Sequence, residues 1–301
     1  MSPRAPVSAL VAEVAGARER FLELVAEVRP DLHRYCARMT GSIFDGEDVV
    51  QDTLAKACFA LASMEEPPPL RPWLFRIAHN TAMDFLRRHE HRYVSPVAEV
   101  PEPTGDETRA PDPALVEAAL AVFVSLPPVQ RSALALKDVL GLSLEETAAT
   151  MGTTVGAVKA ALVRARAGAS APRPPNAAAA VAPADRERLR LYADLFNARD
   201  WERLRALFAE DARLDLVSRW QRTGPSATHY FTRYAEVMPE EKLRAEPGEV
   251  DGAPAIALMR EGSDRPIYFL LIEWADGRIR LVRDYRYVPY IAEEAGFTPA
   301  G

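Results

Sequence analysis

Two proline-rich stretches without hydrophobic patterning decide how this chain can fold. SPVAEVPEPTGDETRAPDPA (residues 95–114) is rich in proline and acid, and GASAPRPPNAAAAVAPA (residues 168–184) is rich in proline and alanine. Such composition favours extended, semi-rigid linkers over packed structure. The 301 residues are long enough for two or three separate cores. The linkers divide them into modules expected at residues 15–95, 114–168 and 185–301, with linkers at 96–113 and 169–184. No internal repeat is present.

The first module reads as all-helical. Phe21, Leu24, Val25, Val28, Leu32 and Tyr35 recur at three- and four-residue steps, the period of an amphipathic helix. DGEDVVQDTLAKACFALASM predicts a second helix with Val49, Val50, Leu54, Ala57, Phe59 and Leu61 as its apolar positions. Its polar side carries Glu47, Asp48, Gln51, Asp52 and Lys56. EEPPPLRP then interrupts the helix before RPWLFRIAHNTAMDFLRRHEHR begins. That stretch sets Arg71, Arg76, Arg87, Arg88 and Arg92 against only Asp84 and Glu90, and it holds His79, His89 and His91 with Trp73, Phe75 and Phe85. Cations interleaved with aromatics suit a polyanion whose bases unstack; a solvated helix over an ordinary aromatic core is the plainer alternative.

The middle module has sharper punctuation. Leu126-Pro127-Pro128 opens a helix through Leu140, and Gly141 closes it. Ser143 with Glu146 is a capping-box pattern, Gly152 makes a turn, and Thr153 or Thr154 caps VGAVKAALVRARA. Two short helices across a glycine turn, the second carrying Lys159, Arg164 and Arg166, form a helix-turn-helix pattern.

Charge sets a limit on any nucleic-acid role. The chain has 37 Lys+Arg against 43 Asp+Glu, a net −6. Autonomous grip on duplex DNA needs a far more basic surface, so DNA binding here requires a partner. The content of 48% hydrophobic and 27% charged residues is that of a globular protein. Cys36 and Cys58 show neither metal-ligand spacing nor a disulfide framework. MSPRAPVSALVAEVAGARER lacks the pattern of a signal peptide, and no window approaches the roughly 18 apolar residues of a membrane span. The expectation is a cytoplasmic protein with no membrane association, metal or cofactor.

DGEDVVQDTLAKA, PWLFRIAHNTAMDFLRR and LPPVQRSALALKDVLGLSLEETAATMGTTVGAVKAALVRARA together resemble the extracytoplasmic-function (ECF) sigma factors of bacterial RNA polymerase, regions two and four in order, over roughly the first 170 residues. The resemblance implies a non-enzymatic subunit that binds core RNA polymerase, through the β′ clamp and the β flap, and directs initiation at promoter DNA. Asp45, Glu47, Asp48, Gln51 and Asp52 then fall on the β′-docking helix. Arg76, His79, Asn80, Arg87 and Arg88 fall on the helix that reads the minus-ten element as separated strand, with a flipped base near the loop at residues 64–70 and Trp73 and Phe75 packing the helix. Thr154, Lys159, Arg164 and Arg166 fall on the helix that enters the major groove at the minus-thirty-five element. Ala160, Ala161 and Val163 stand where the family often has polar residues, so base readout there is expected to be thin.

The third module has a different grammar. RERLRLYADLFNARDWERLRALF reads as helix, ARLDLVS as strand and PSATHYFTRYAEV as helix. EKLRAEPGEV, APAIALMRE, RPIYFLLIEWA and RIRLVRDYRYV read as strands separated by turns such as Asp276-Gly277. Helices followed by a curled antiparallel sheet make an α+β module. With FNARDWERLRALFAEDARLDL it resembles the SnoaL-like, nuclear-transport-factor-like cone fold. The whole is therefore expected to be multidomain: two all-α modules followed by an α+β SnoaL-like cone. Alternation along the last strand places Ile279, Leu281, Arg283, Tyr285 and Tyr287 on one face and Arg280, Val282, Asp284 and Arg286 on the other. Tyr192, Trp220, His229, Tyr230, Arg283 and Tyr285 are candidates for a pocket that would take a small-molecule ligand or regulatory partner. His229 and Asp215 form a drawable acid/base pair, and His229 equally reads as a structural histidine. No motif commits the module to catalysis. The alternative functions are a SnoaL-like isomerase or hydrolase, or a small-molecule-binding domain, fused to DNA-binding modules. A stand-alone ligand-sensing repressor is a third, disfavoured by the net acidity.

Overall fold

The computed structural model describes residues 7–66, 68–89, 120–169, 183–224 and 242–300. The chain forms two compact units, Met1–Pro174 and Pro175–Gly301.

The first unit is helical. It contains α1 (Val7–Val25), α2 (Arg29–Thr40), α3 (Ile43–Leu61) and α4 (Leu70–Arg88), then α5 (Leu120–Val124), α6 (Pro128–Leu134), α7 (Leu144–Met151) and α8 (Val155–Ala169). Local chemistry fixes the ends of these helices. Ser42 caps α3 by accepting from the Asp45 amide at 3.2 Å. Gly46 permits α2 and α3 to touch at backbone distance, because a Cβ there would fall 2.6 Å from the Ala37 nitrogen. Pro128 sits in the first turn of α6, where a missing N–H costs nothing. The helix continues as a π turn over Ala135–Val139, so the expected run to Leu140 is present. The capping box of α7 is complete: Ser143 Oγ accepts from the Glu146 amide at 3.1 Å, and the Ser143 amide donates to Glu146 Oε2 at 2.7 Å. Thr154 caps α8, its hydroxyl accepting from the Ala157 amide at 3.2 Å.

The two helical modules share one core, which separate modules on a proline-rich tether did not foretell. Leu32, Tyr35 and Met39 of α2 and Leu74, Phe75 and Ala78 of α4 belong to the same buried cluster as Phe123, Leu126, Leu134 and Leu162. Burying such side chains supplies about 1.5–3 kcal/mol each.

The second unit places α9 (Pro183–Asn197) and α10 (Trp201–Ala206) before a seven-stranded sheet among the described residues. The strands are β1 (Phe208–Leu216), β2 (Trp220–Thr223), β3 (Leu243–Val250), β4 (Ala253–Arg260), β5 (Pro266–Ala275), β6 (Arg278–Asp284) and β7 (Phe297–Pro299), in the order β2-β1-β6-β5-β4-β3-β7, with a short helix α11 (Tyr290–Glu294) before β7. Leu189, Tyr192, Ala193 and Phe196 of α9 pack against the sheet. Asn197 joins helix to sheet as a strand would: its amide donates to the Ala245 carbonyl at 2.9 Å and its oxygen accepts from the Ala245 amide at 2.8 Å. The unit is an α+β domain.

Two expectations require correction here. The sheet is mixed, because β1 runs parallel to β6. Alternation along β6 is also broken by a bulge where Glu273 and Trp274 of β5 face Leu281 and Ile279. Ile279, Val282 and Asp284 are therefore buried, while Arg280 is exposed and Leu281 and Arg283 are half-buried. The predicted helix at residues 225–237 lies outside the described residues.

Candidate functional site

Helix α3 presents Asp52 exposed and Asp45, Asp48 and Gln51 half-buried. Glu47 departs from its expected role. It is fully buried, accepts from Arg29 Nη2 at 2.5 Å and from Gln51 Nε2 at 2.9 Å, and so belongs to the packing of α2 on α3 rather than to a docking surface. Phe59, expected in the core, is 81% exposed. It lies one, two and three turns beyond Ala55, Asp52 and Asp48, on their side of the helix.

Helix α4 exposes Arg76, Asn80, Arg87 and Arg88. Arg76, Asn80 and Arg87 are spaced by four and seven residues and share one side. Arg87 pairs with Asp84 on its own helix, and Arg88 Nη2 lies 3.9 Å from Asp52 of α3. Phe75 is buried edge-to-face on Tyr35, and Trp73 is half-buried, so both pack the helix. His79 is buried instead of facing solvent. Its Nδ1 lies 3.0 Å from both Tyr35 Oη and Ser132 Oγ, and those hydroxyls are 2.8 Å apart. Burial pulls its imidazole down to about 4.

Helix α8 exposes Thr154, Ala157, Ala160 and Arg164, with Lys159 half-buried. Arg166 is committed elsewhere. Its Nε and Nη2 donate to the two carboxylate oxygens of buried Asp138, each at 2.8 Å, locking α8 to the π turn.

The second unit redistributes the expected pocket residues. Tyr192 is buried, with its hydroxyl unmatched among the described residues. Arg283 lies beside Asp215, Nε to Oδ2 3.5 Å, so Asp215 faces an arginine on the opposite side of β6 from Asp284. Tyr285 is buried. The side chain of Trp220, and His229 and Tyr230 altogether, lie outside the described residues. Sequence alternation placed Asp284 on the wrong face. It is fully buried, accepts from the Arg286 amide at 2.8 Å, and burial pushes its carboxyl up to about 7 against the opposing Arg286 amide and guanidinium. The same burial, reinforced by Asp284 and Tyr268, raises the Tyr192 phenol. The bulge at Arg280, four residues before Asp284, is what the alternation could not show.

Among the described residues, no group of His, Cys, Asp and Glu could hold a metal ion, and no helix is long and apolar enough to cross a membrane.

Residues 24–92 match the sigma-70 region 2 family and residues 117–167 match sigma-70 region 4. The chain is 34% identical over 167 residues to the ECF RNA polymerase sigma factor SigM of Mycobacterium tuberculosis, covering 54% of this chain and 82% of that one. It is 33% identical over 169 residues to SigD of Mycobacterium bovis, covering 53% and 80%. Among solved structures, that of the Mycobacterium tuberculosis ECF sigma factor SigJ aligns over 86% of this chain and 95% of its own, at 20% identity and a TM-score of 0.35. With both helical regions matched in order and one third identity sustained over most of a relative's length, the chain belongs to the ECF sigma factors, the subunits that bind core RNA polymerase and direct promoter-specific initiation.

Proposed function

We propose that residues 15–95 serve as the polymerase-docking and minus-ten module, residues 114–168 as the minus-thirty-five module, and residues 185–301 as a regulatory domain. Asp45, Asp48, Gln51 and Asp52 meet the β′ clamp, where a carboxylate-bearing face against a basic partner gives steering and register. Arg76, Arg87 and Arg88 neutralise phosphates of the separated strand, and Asn80 reads a base edge. Thr154, Lys159 and Arg164 meet the minus-thirty-five element, with the β flap beneath the module. The protein works in the cytoplasm, where core polymerase and promoters are. The observation that carries this reading is the exposed Arg76, Asn80 and Arg87 side of α4, next to the carboxylates of α3. Its test is transcription by reconstituted core polymerase from a cognate promoter: substitution of Asn80 should impair promoter opening and leave holoenzyme assembly intact.

A second reading concerns the SnoaL-like unit and is favoured by buried Tyr192 and Asp284 together. Two polar groups in an apolar interior suit a small ligand offering an acceptor oxygen. Ligand-induced thermal stabilisation lost in Tyr192→Phe would support ligand binding; a ligand-indifferent domain whose deletion still alters transcription would leave a regulatory contact.

A further inference from the structure

Among the described residues, Phe59 of α3 is the most exposed large apolar side chain, at 81%. The phase of its own helix puts it there. Val49, Val50, Leu54 and Ala57 are buried. Phe59 lies about 160° around the helix from Ala57 at ~100° per residue, so no rotation of α3 buries the ring without expelling that core. Its neighbours along the same side, Ala55 and Ala62, are exposed and carry only a methyl group each. A single exposed apolar side chain is ordinary on a protein surface, so its position decides what this one means.

Asp48, Asp52, Ala55 and Phe59 follow one another at steps of four, three and four residues and form one stripe. Asp52 is exposed and Asp48 half-buried. At ~1.5 Å per residue the stripe is about 16 Å long. A helical hairpin, two helices of ~10 Å diameter side by side, is roughly 20 Å wide, so one that meets Asp48 and Asp52 also covers Phe59. The charge around the ring is negative, with Glu65 and Glu66 exposed just beyond the helix. The nearby cations are drawn to α4: Lys56 Nζ donates to Thr81 Oγ1 at 3.0 Å, and Arg88 lies beside Asp52. Such a field repels a nucleic-acid strand and suits a basic protein surface.

We propose that Phe59 is the apolar anchor of the contact with core polymerase: its ring enters a notch in the basic helical hairpin of the β′ clamp while Asp48 and Asp52 pair with cations beside it. The proposal rests on the docking reading above. Buried aromatic side chains carry much of the binding energy at interfaces, and charges around them steer the encounter. The carboxylates therefore govern how fast the complex forms and how salt affects it, and Phe59 governs how slowly it comes apart.

The test is dissociation of the full chain from immobilised core polymerase. Phe59→Ala should raise the dissociation rate roughly 10- to 150-fold, the loss expected for re-exposing a buried phenyl ring, with the association rate and its salt dependence unchanged. Phe59→Leu should restore most of the residence time, because it refills the notch with apolar volume. The ring is exposed in the free chain, so both variants should keep the wild-type thermal midpoint; a fall in that midpoint counts against a docking role. Dissociation of Phe59→Ala at the wild-type rate overturns the anchor. So does a loss confined to promoter opening with residence time unchanged, which would place the ring against DNA. Full polymerase affinity in Asp48→Arg with Asp52→Arg would instead remove the docking reading itself.

Discussion

Asp52 of α3 and Arg88 of α4 face one another across 3.9 Å, both largely exposed. One is assigned to polymerase and the other to DNA, so the two tasks meet on neighbouring helices. An exposed pair at this distance contributes at most about 1 kcal/mol. Asp48→Arg with Asp52→Arg should therefore leave the thermal midpoint within a few degrees of wild type while abolishing co-elution with core polymerase. Undiminished co-elution would remove α3 from the docking surface.

Asn80 is exposed between Arg76 and Arg87. A base-edge contact carries about 1–3 kcal/mol of discrimination. Asn80→Ala should cut open-complex formation on a cognate promoter roughly 5- to 150-fold and flatten the preference among minus-ten sequences, with polymerase affinity unchanged. Permanganate footprinting of the melted strand measures it.

Arg166 and Arg164 sit two residues apart and should behave in opposite ways. Removing Arg166 strands the buried Asp138 carboxylate, a loss of about 3–5 kcal/mol. Arg166→Ala should lower the denaturation midpoint of the helical unit sharply. Arg164→Ala, on the exposed side, should leave that midpoint in place and weaken minus-thirty-five binding with a shallower salt dependence. Equal stabilities for the two variants would contradict the assignment.

Asp284 predicts a pH dependence of the second unit. Its folded carboxyl titrates at about 7 against an ordinary 3.8. Below 3.8 both folded and unfolded chains hold the proton; between 3.8 and 7 only the folded chain does. Stability from this group is thus fully present at low pH and declines as pH rises to 7, by on the order of 4 kcal/mol. Asp284→Asn should remove that slope and stabilise the unit above pH 7. Urea unfolding of the full chain, followed by tryptophan fluorescence that Trp201, Trp220 and Trp274 dominate, reads it; parallel slopes for wild type and variant would contradict it.

What the sequence made legible was what local chemistry encodes. The capping box at Ser143 and Glu146, the proline start of α6 and the order of helices and strands need only nearby residues, and they are present in the structure. Three of the failures are long-range. Glu47 is withdrawn by Arg29, 18 residues away, and His79 by Tyr35 and Ser132, 44 and 53 residues away. Arg166 is withdrawn by Asp138. Asp284 turned inward because a bulge shifted a period-two pattern by one residue, and Phe59 turned outward because its helical phase is that of Asp48 and Asp52. A charge on a polar-looking face is thus an address only until its partner is known.

The central claim, that this chain gives core polymerase its promoters, is tested most directly by run-off transcription with purified core polymerase on a library of genomic fragments. Transcripts should appear only when chain and polymerase are both present, and their upstream sequences should share one minus-ten and one minus-thirty-five element. No transcripts above core polymerase alone, or sequence-specific DNA binding by the chain at equal affinity without polymerase, would contradict it.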